Sequence, residues 1–171
     1  MEAIKKHGEQ GLLTLLADQE GIEKISPEPD EVLEIKELEK HFSKEDIEYY
    51  YFARVVAQWN RLIDKPDFEE YLNRYLTRDG KNSGWTDFEF TIENMAKIHD
   101  KTHDHKFDSE NYQCFYRDSA PNVNPVADYP FRDEHILNEI LKYWKQGKSI
   151  FVVFGSGHAI VLEKALNTLL V

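Results

Sequence analysis

Residues Phe151–Leu162 read FVVFGSGHAIVL, and the reading of this stretch decides the fold. From Ser149 to Phe154 the apolar residues do not alternate with polar ones. That pattern predicts a strand buried on both faces, as in a parallel sheet. Gly155 and Gly157 then allow a sharp turn and a close approach of the main chain by another group. A helix follows, over Ala159–Leu170. His158 stands between the strand and the helix. In an open parallel sheet, functional groups collect at the carboxyl ends of the strands, so this histidine is the first candidate for chemistry.

Working outward, the upstream segment Phe131–Gln146 is a helix with Ile136, Leu137, Ile140, Leu141 and Trp144 on its inward face. Gly147 closes it. Near the N-terminus, Glu9–Glu20 is helical, with Leu12, Leu15 and Leu16 sharing a face. Ile22 and Ile25 mark a short strand stopped by Pro27 and Pro29. Between these ends the pattern is helical: Asp30–Lys40, then Lys44–Ile63 behind a Ser43 cap, then a helix from Asp67 to Leu76, then one started by Thr91. The segment Arg78–Gly84, RDGKNSG, reads as a surface turn, and residues 104–130 as irregular. The expected fold is therefore α/β and helix-rich, a partial parallel or mixed sheet flanked by helices in one domain over residues 1–171. Two strands do not make a stable parallel sheet. The others are unrecognised, come from a partner such as a second copy, or belong to an upstream half; the helix that follows so closely on Met1 favours the last expectation.

Composition narrows the partners. The 171 residues carry a net charge of −11, with 41% hydrophobic and 31% charged residues, as in a folded globular domain. From Glu28 to Glu48 nine acids face three lysines, a balance of −6. Nucleic-acid backbones and anionic membrane surfaces are excluded as partners by this charge, and the run itself reads as a solvated helix face. A single cysteine, Cys114, rules out an internal disulfide and points to the cytoplasm. It lies among aromatics and reads as buried and inert. Neither an export signal nor a membrane-length apolar run is visible.

Four constellations carry chemistry. His158, at a helix start, sits where the helix dipole favours the neutral imidazole. Such a ring is a metal ligand or general base, or else a capping or core histidine. Arg132 falls on the core face of the 131–146 helix and in its first turn, where a cation opposes the dipole. It either binds a carboxylate, phosphate or oxyanion or pairs with a nearby acid such as Asp133. His99 and His103 form an i,i+4 pair, with His105 close by, which is metal-ligand spacing or a solvated helix end. Arg54 has no acidic residue three or four positions away, so it faces a site or solvent. The glycines form neither a phosphate loop nor a nucleophile elbow.

Arg132 at a helix start, followed by Gly155-x-x-His158 after a strand, resembles the TraB/PrgY, Tiki and ChaN-like superfamily. The segment from Gly8 to Glu31 is similar to the middle of such proteins, where an acidic residue near a strand end belongs to the site; Glu28 is the first match and Glu9 the second. The resemblance implies a sheet of two related halves, each with a Gly-x-x-His motif, and a divalent metal such as Mn, Co or Zn between them. His158 and Glu28 would be its ligands here. It implies a metal-dependent hydrolase acting on a small molecule or peptide, or alternatively a haem- or peptide-binding module. Only Gly155 has a histidine three residues later, so the first motif is absent. The chain then reads as the C-terminal half to two-thirds of such a domain, inactive alone.

Overall fold

The computed structural model describes residues 2–108 and 125–169. Its elements are α1 (Glu2–Gln19), α2 (Glu31–Leu38), α3 (Lys44–Asn60), α4 (Phe68–Ser83), α5 (Ile92–Thr102), a 3-10 turn (Pro125–Asp128), α6 (Phe131–Trp144) and α7 (Ser156–Leu169). Local chemistry sets the starts of four of them. The side chains of Asp30, Ser43, Asp67 and Thr91 accept from the main-chain N–H groups of the first turns of α2, α3, α4 and α5. Each satisfies a donor that the helix itself cannot.

The expected sheet is not present among the described residues. They contain no strand, and both stretches read as strands carry no regular secondary structure. Phe151 is 82% exposed and Ile22 61%, with Val152 and Ile25 also exposed. An apolar run specifies burial only if another strand offers it a ladder; none is offered here. Pro27 and Pro29, without N–H groups, could not extend a ladder beyond Ile25. A side-chain ion pair joins the two stretches, Lys148 Nζ donating to Glu23 Oε2 at 2.7 Å.

The described residues fall into two compact units, Met1–Pro29 with Arg132–Val171, and Asp30–Phe131. In the first, Ile136, Ile140 and Leu162 are buried, with Leu137, Ile150, Phe154 and Leu166 against them. The exposed apolar residues Leu15 and Leu16, which share a face of α1, and Trp144, expected to face inward, belong to this unit. The second unit is built round α3, buried without interruption from Ile47 to Ala53. Tyr49, Phe52 and Val56 pack with Leu72 and Leu76 of α4 and Met95 and Ile98 of α5. Ile35 and Leu38 of α2 pack with Ile47, Trp85 and Val126.

Two further expectations change here. Arg78–Gly84 is not a surface turn: α4 continues to Ser83 and ends at Gly84, whose φ of 68° is a left-handed C-terminal cap. The acidic run is not all solvated face, because Glu48 is 1% exposed; Asp79, in the expected turn, is also 1% exposed. Among the described residues no helix is long and apolar enough to cross a membrane. Cys114 lies outside the described residues.

Candidate functional site

The first turn of α6 organises the predicted residues of the first unit. Pro130 precedes it, its fixed φ suited to a helix entry. Arg132 and Asp133 then follow one another and reach different partners. Arg132 Nε donates to Glu28 Oε2 at 2.6 Å and Arg132 Nη2 to Glu28 Oε1 at 2.8 Å. This is a bidentate fork, the geometry that guanidinium and carboxylate share. It ties the Pro27–Pro29 segment to a helix 104 residues later in the chain. Both side chains are half-buried.

Asp133 holds the histidine. His158 Nδ1 and Asp133 Oδ1 are 2.6 Å apart, and both side chains are half-buried. A carboxylate only accepts, so Nδ1 carries the hydrogen, and the lone pair of the uncharged imidazole form lies on Nε2. The Phe154 ring lies 5.5 Å from the imidazole, centroid to centroid, against one side of the ring. His158 sits in the first turn of α7, which begins at Ser156 rather than after the histidine.

Three of the predicted residues thus meet on one helix turn, with a change of partners. Glu28 does not orient His158; its two carboxylate oxygens serve Arg132, and Asp133 takes the orienting role. In the sequence Asp133 reads only as a candidate partner for Arg132. Its position next to Arg132 in the first turn of the helix was the available signal, since adjacent helix residues leave the axis in different directions.

The glycines play a smaller part than expected. Neither Gly155 nor Gly157 adopts a positive φ, and a Cβ added at either would meet nothing within 4 Å. Their proposed close approach is not used within the described residues. Glu9 falls in α1, and its side chain lies outside the described residues. Arg54 belongs to the second unit, where its guanidinium lies 5.3 Å over the Tyr50 ring and Nη1 is 3.4 Å from the Tyr50 hydroxyl.

The histidine group is also in the second unit. His99 and His103 stack face to face, 3.9 Å between centroids and 6° between planes. The Tyr49 hydroxyl is 2.6 Å from His99 Nδ1. Burial pushes His99 down to about 4, helped by His103 and His105, and burial also lowers His103. Stacked rings carry their nitrogens side by side instead of converging on a point, unlike a chelating pair. Among the described residues no group of three or more His, Cys, Asp or Glu side chains is placed to hold a metal ion. The His158–Glu28 ligand pair does not fit that role in this arrangement, since the Arg132 fork occupies the carboxylate.

A second polar group escaped the sequence reading. Arg78 of α4 donates from Nη2 to Glu31 Oε1 of α2 at 2.9 Å and from Nε and Nη2 to its neighbour Asp79 at 3.0 and 2.8 Å. Asn82 donates to Glu31 Oε2 at 3.0 Å. Burial, with the charge of Asp79 and Glu31 close by, pushes the Glu48 carboxyl up to about 9; burial also raises Asp79 to about 6 against the opposing pull of Arg78.

Compared with protein-family models, with curated proteins and with solved structures, the chain matches none.

Proposed function

We propose that the first unit carries a hydrolase-type site in which His158 is the general base. The observation that supports this most is the 2.6 Å contact between Asp133 Oδ1 and His158 Nδ1. An acid on one ring nitrogen fixes the tautomer, directs the lone pair of the other nitrogen outward, and stabilises the imidazolium that forms when it accepts a proton. Nε2 takes a proton from water as the water oxygen attacks a substrate carbonyl, and returns it to the leaving group.

Arg132 supplies the positive charge beside this base. Its fork with Glu28 holds the guanidinium and the first turn of α6 still, and so holds Asp133. An anionic substrate group or a developing oxyanion is stabilised by the same guanidinium, in exchange with Glu28. The resemblance of Arg132 and Gly155-x-x-His158 to TraB and Tiki proteins supports the same assignment. A small ester or peptide bond is the substrate class that this equipment serves.

Hydrolysis of p-nitrophenyl acetate by wild type and His158→Ala is the test. General-base removal typically lowers a rate by about 10²- to 10⁴-fold, so a loss of at least about 100-fold is expected. Equal rates in the two proteins would sink the proposal. The exposed Phe151, Ile160 and Val161 near His158 in the chain favour one second reading, haem binding through Nε2. A Soret shift on haem addition that disappears in His158→Ala, without esterase activity, would select it.

A further inference from the structure

Deep in the second unit, Glu48 Oε1, the Tyr51 hydroxyl oxygen and Asp79 Oδ2 have no hydrogen-bond partner among the described residues. Glu48 and Asp79 are 1% exposed and Tyr51 5%. A buried polar atom without a partner is expensive, and a buried unpaired charge more so. Glu48 and Asp79 belong to one neighbourhood. Glu48 and Tyr51 lie three residues apart on α3, on one helix face. From α4 come Arg78 and Asp79, and from α2 comes Glu31, all acting on the Glu48 carboxyl. One guanidinium, already bonded to Glu31 and Asp79, stands against three carboxyl groups. If all ionised, two negative charges would remain in the core between three helices.

We infer that Glu48 is held as a neutral acid whose proton keeps α2, α3 and α4 packed, so that this unit is a proton-operated device that loosens as pH rises. A neutral Glu48 has a hydroxyl to donate, and Asp79, whose charge acts on Glu48, has an unpaired acceptor in Oδ2. One proton on Glu48 therefore removes one of the two excess charges and supplies one donor to this cluster. Nothing in this cluster depends on the proposed role of His158.

The sign follows from where the proton is held. Folding raises the affinity of Glu48 for its proton, so the folded state binds more protons than the unfolded chain between the ordinary glutamate range and about 9. The stabilisation is complete below that ordinary range and is lost as pH climbs towards about 9.

The experiment is urea unfolding of the full chain at several values between about pH 6.5 and 8.5, wild type against Glu48→Gln. One proton released per molecule corresponds to about a tenfold fall in the folding equilibrium constant per pH unit. Wild type is expected to show that fall relative to Glu48→Gln, in which the neutral amide replaces the neutral acid. Parallel curves would overturn the inference. Carboxyl carbon NMR titration of Glu48 in wild type reads the same proton if the variant does not fold; ionisation complete by about pH 6 would refute it. Stabilisation of wild type by millimolar Mg²⁺ or Ca²⁺ above about pH 8, absent in Glu48→Gln, would overturn it in favour of a cation site.

Discussion

Removing Arg132 should release the Pro27–Pro29 segment from α6, and the size of the effect follows from the fork. Hydrogen bonds to charged groups contribute about 1.5–3 kcal/mol each when well buried. Here the two side chains are 22% and 33% exposed, so water screens the pair and hydrates whichever partner remains. A coupling of about 1–2 kcal/mol for the pair is therefore expected. Arg132→Met keeps most of the aliphatic stem and removes the donors; Glu28→Gln keeps the shape and removes the charge. Urea unfolding of wild type, both single variants and the double variant isolates the interaction, because the loss shared by the singles is counted once in the double. A coupling below about 0.3 kcal/mol, the range in which independent sites add, would refute the view that this fork holds the segment on α6. A large coupling with unchanged ester hydrolysis would confine the pair to a structural role.

Three other outcomes are expected. Gly84→Ala should destabilise by about 1–2 kcal/mol through backbone strain alone, since φ is 68° while a Cβ there meets nothing within 4 Å; an unchanged urea midpoint would contradict the left-handed cap. Gly157→Ala, at an ordinary φ within α7, should instead raise stability by about 0.5–1 kcal/mol, and a fall in ester hydrolysis despite that gain would reveal a ligand that approaches the main chain. His99 is held below its ordinary range, at about 4, so the unfolded chain takes up this proton first as pH falls. Its stabilising contribution is complete above about 6.5 and is lost on descending to about 4; ring NMR shifts at about pH 5 should still report a neutral His99, and a protonated ring there would refute the burial argument.

The helices were legible because their signals are local. Ser43, Asp67 and Thr91 cap the helices they were expected to cap, and Ile136 and Ile140 are buried on the face that periodicity chose. The sheet was misread because strand burial is a non-local property: FVVF fixes an apolar extended segment but not the neighbour that would cover it. RDGKNSG carried turn residues, yet the helix ahead of it propagates through Gly80, whose missing side chain leaves room for the Phe90 ring, 3.0 Å from where a Cβ would sit. Glu48 and Asp79 hid in acidic and turn-like contexts; only the packing of α3 against α4 and α2 shows that they are inside. At the candidate site, Arg132, His158 and Glu28 were found by being out of place or next to breaks in the chain. Their pairing was not, since which acid meets which base depends on side-chain direction around one helix turn.

The central claim is that Asp133 holds His158 with its proton on Nδ1 and its lone pair on Nε2. Long-range proton–nitrogen NMR on the wild-type ring at neutral to mildly alkaline pH reads this directly. The Nδ1–H tautomer is expected, with that proton shifted by its carboxylate partner and the signature lost in Asp133→Asn. A ring in the Nε2–H form, or one unaffected by Asp133→Asn, would contradict it.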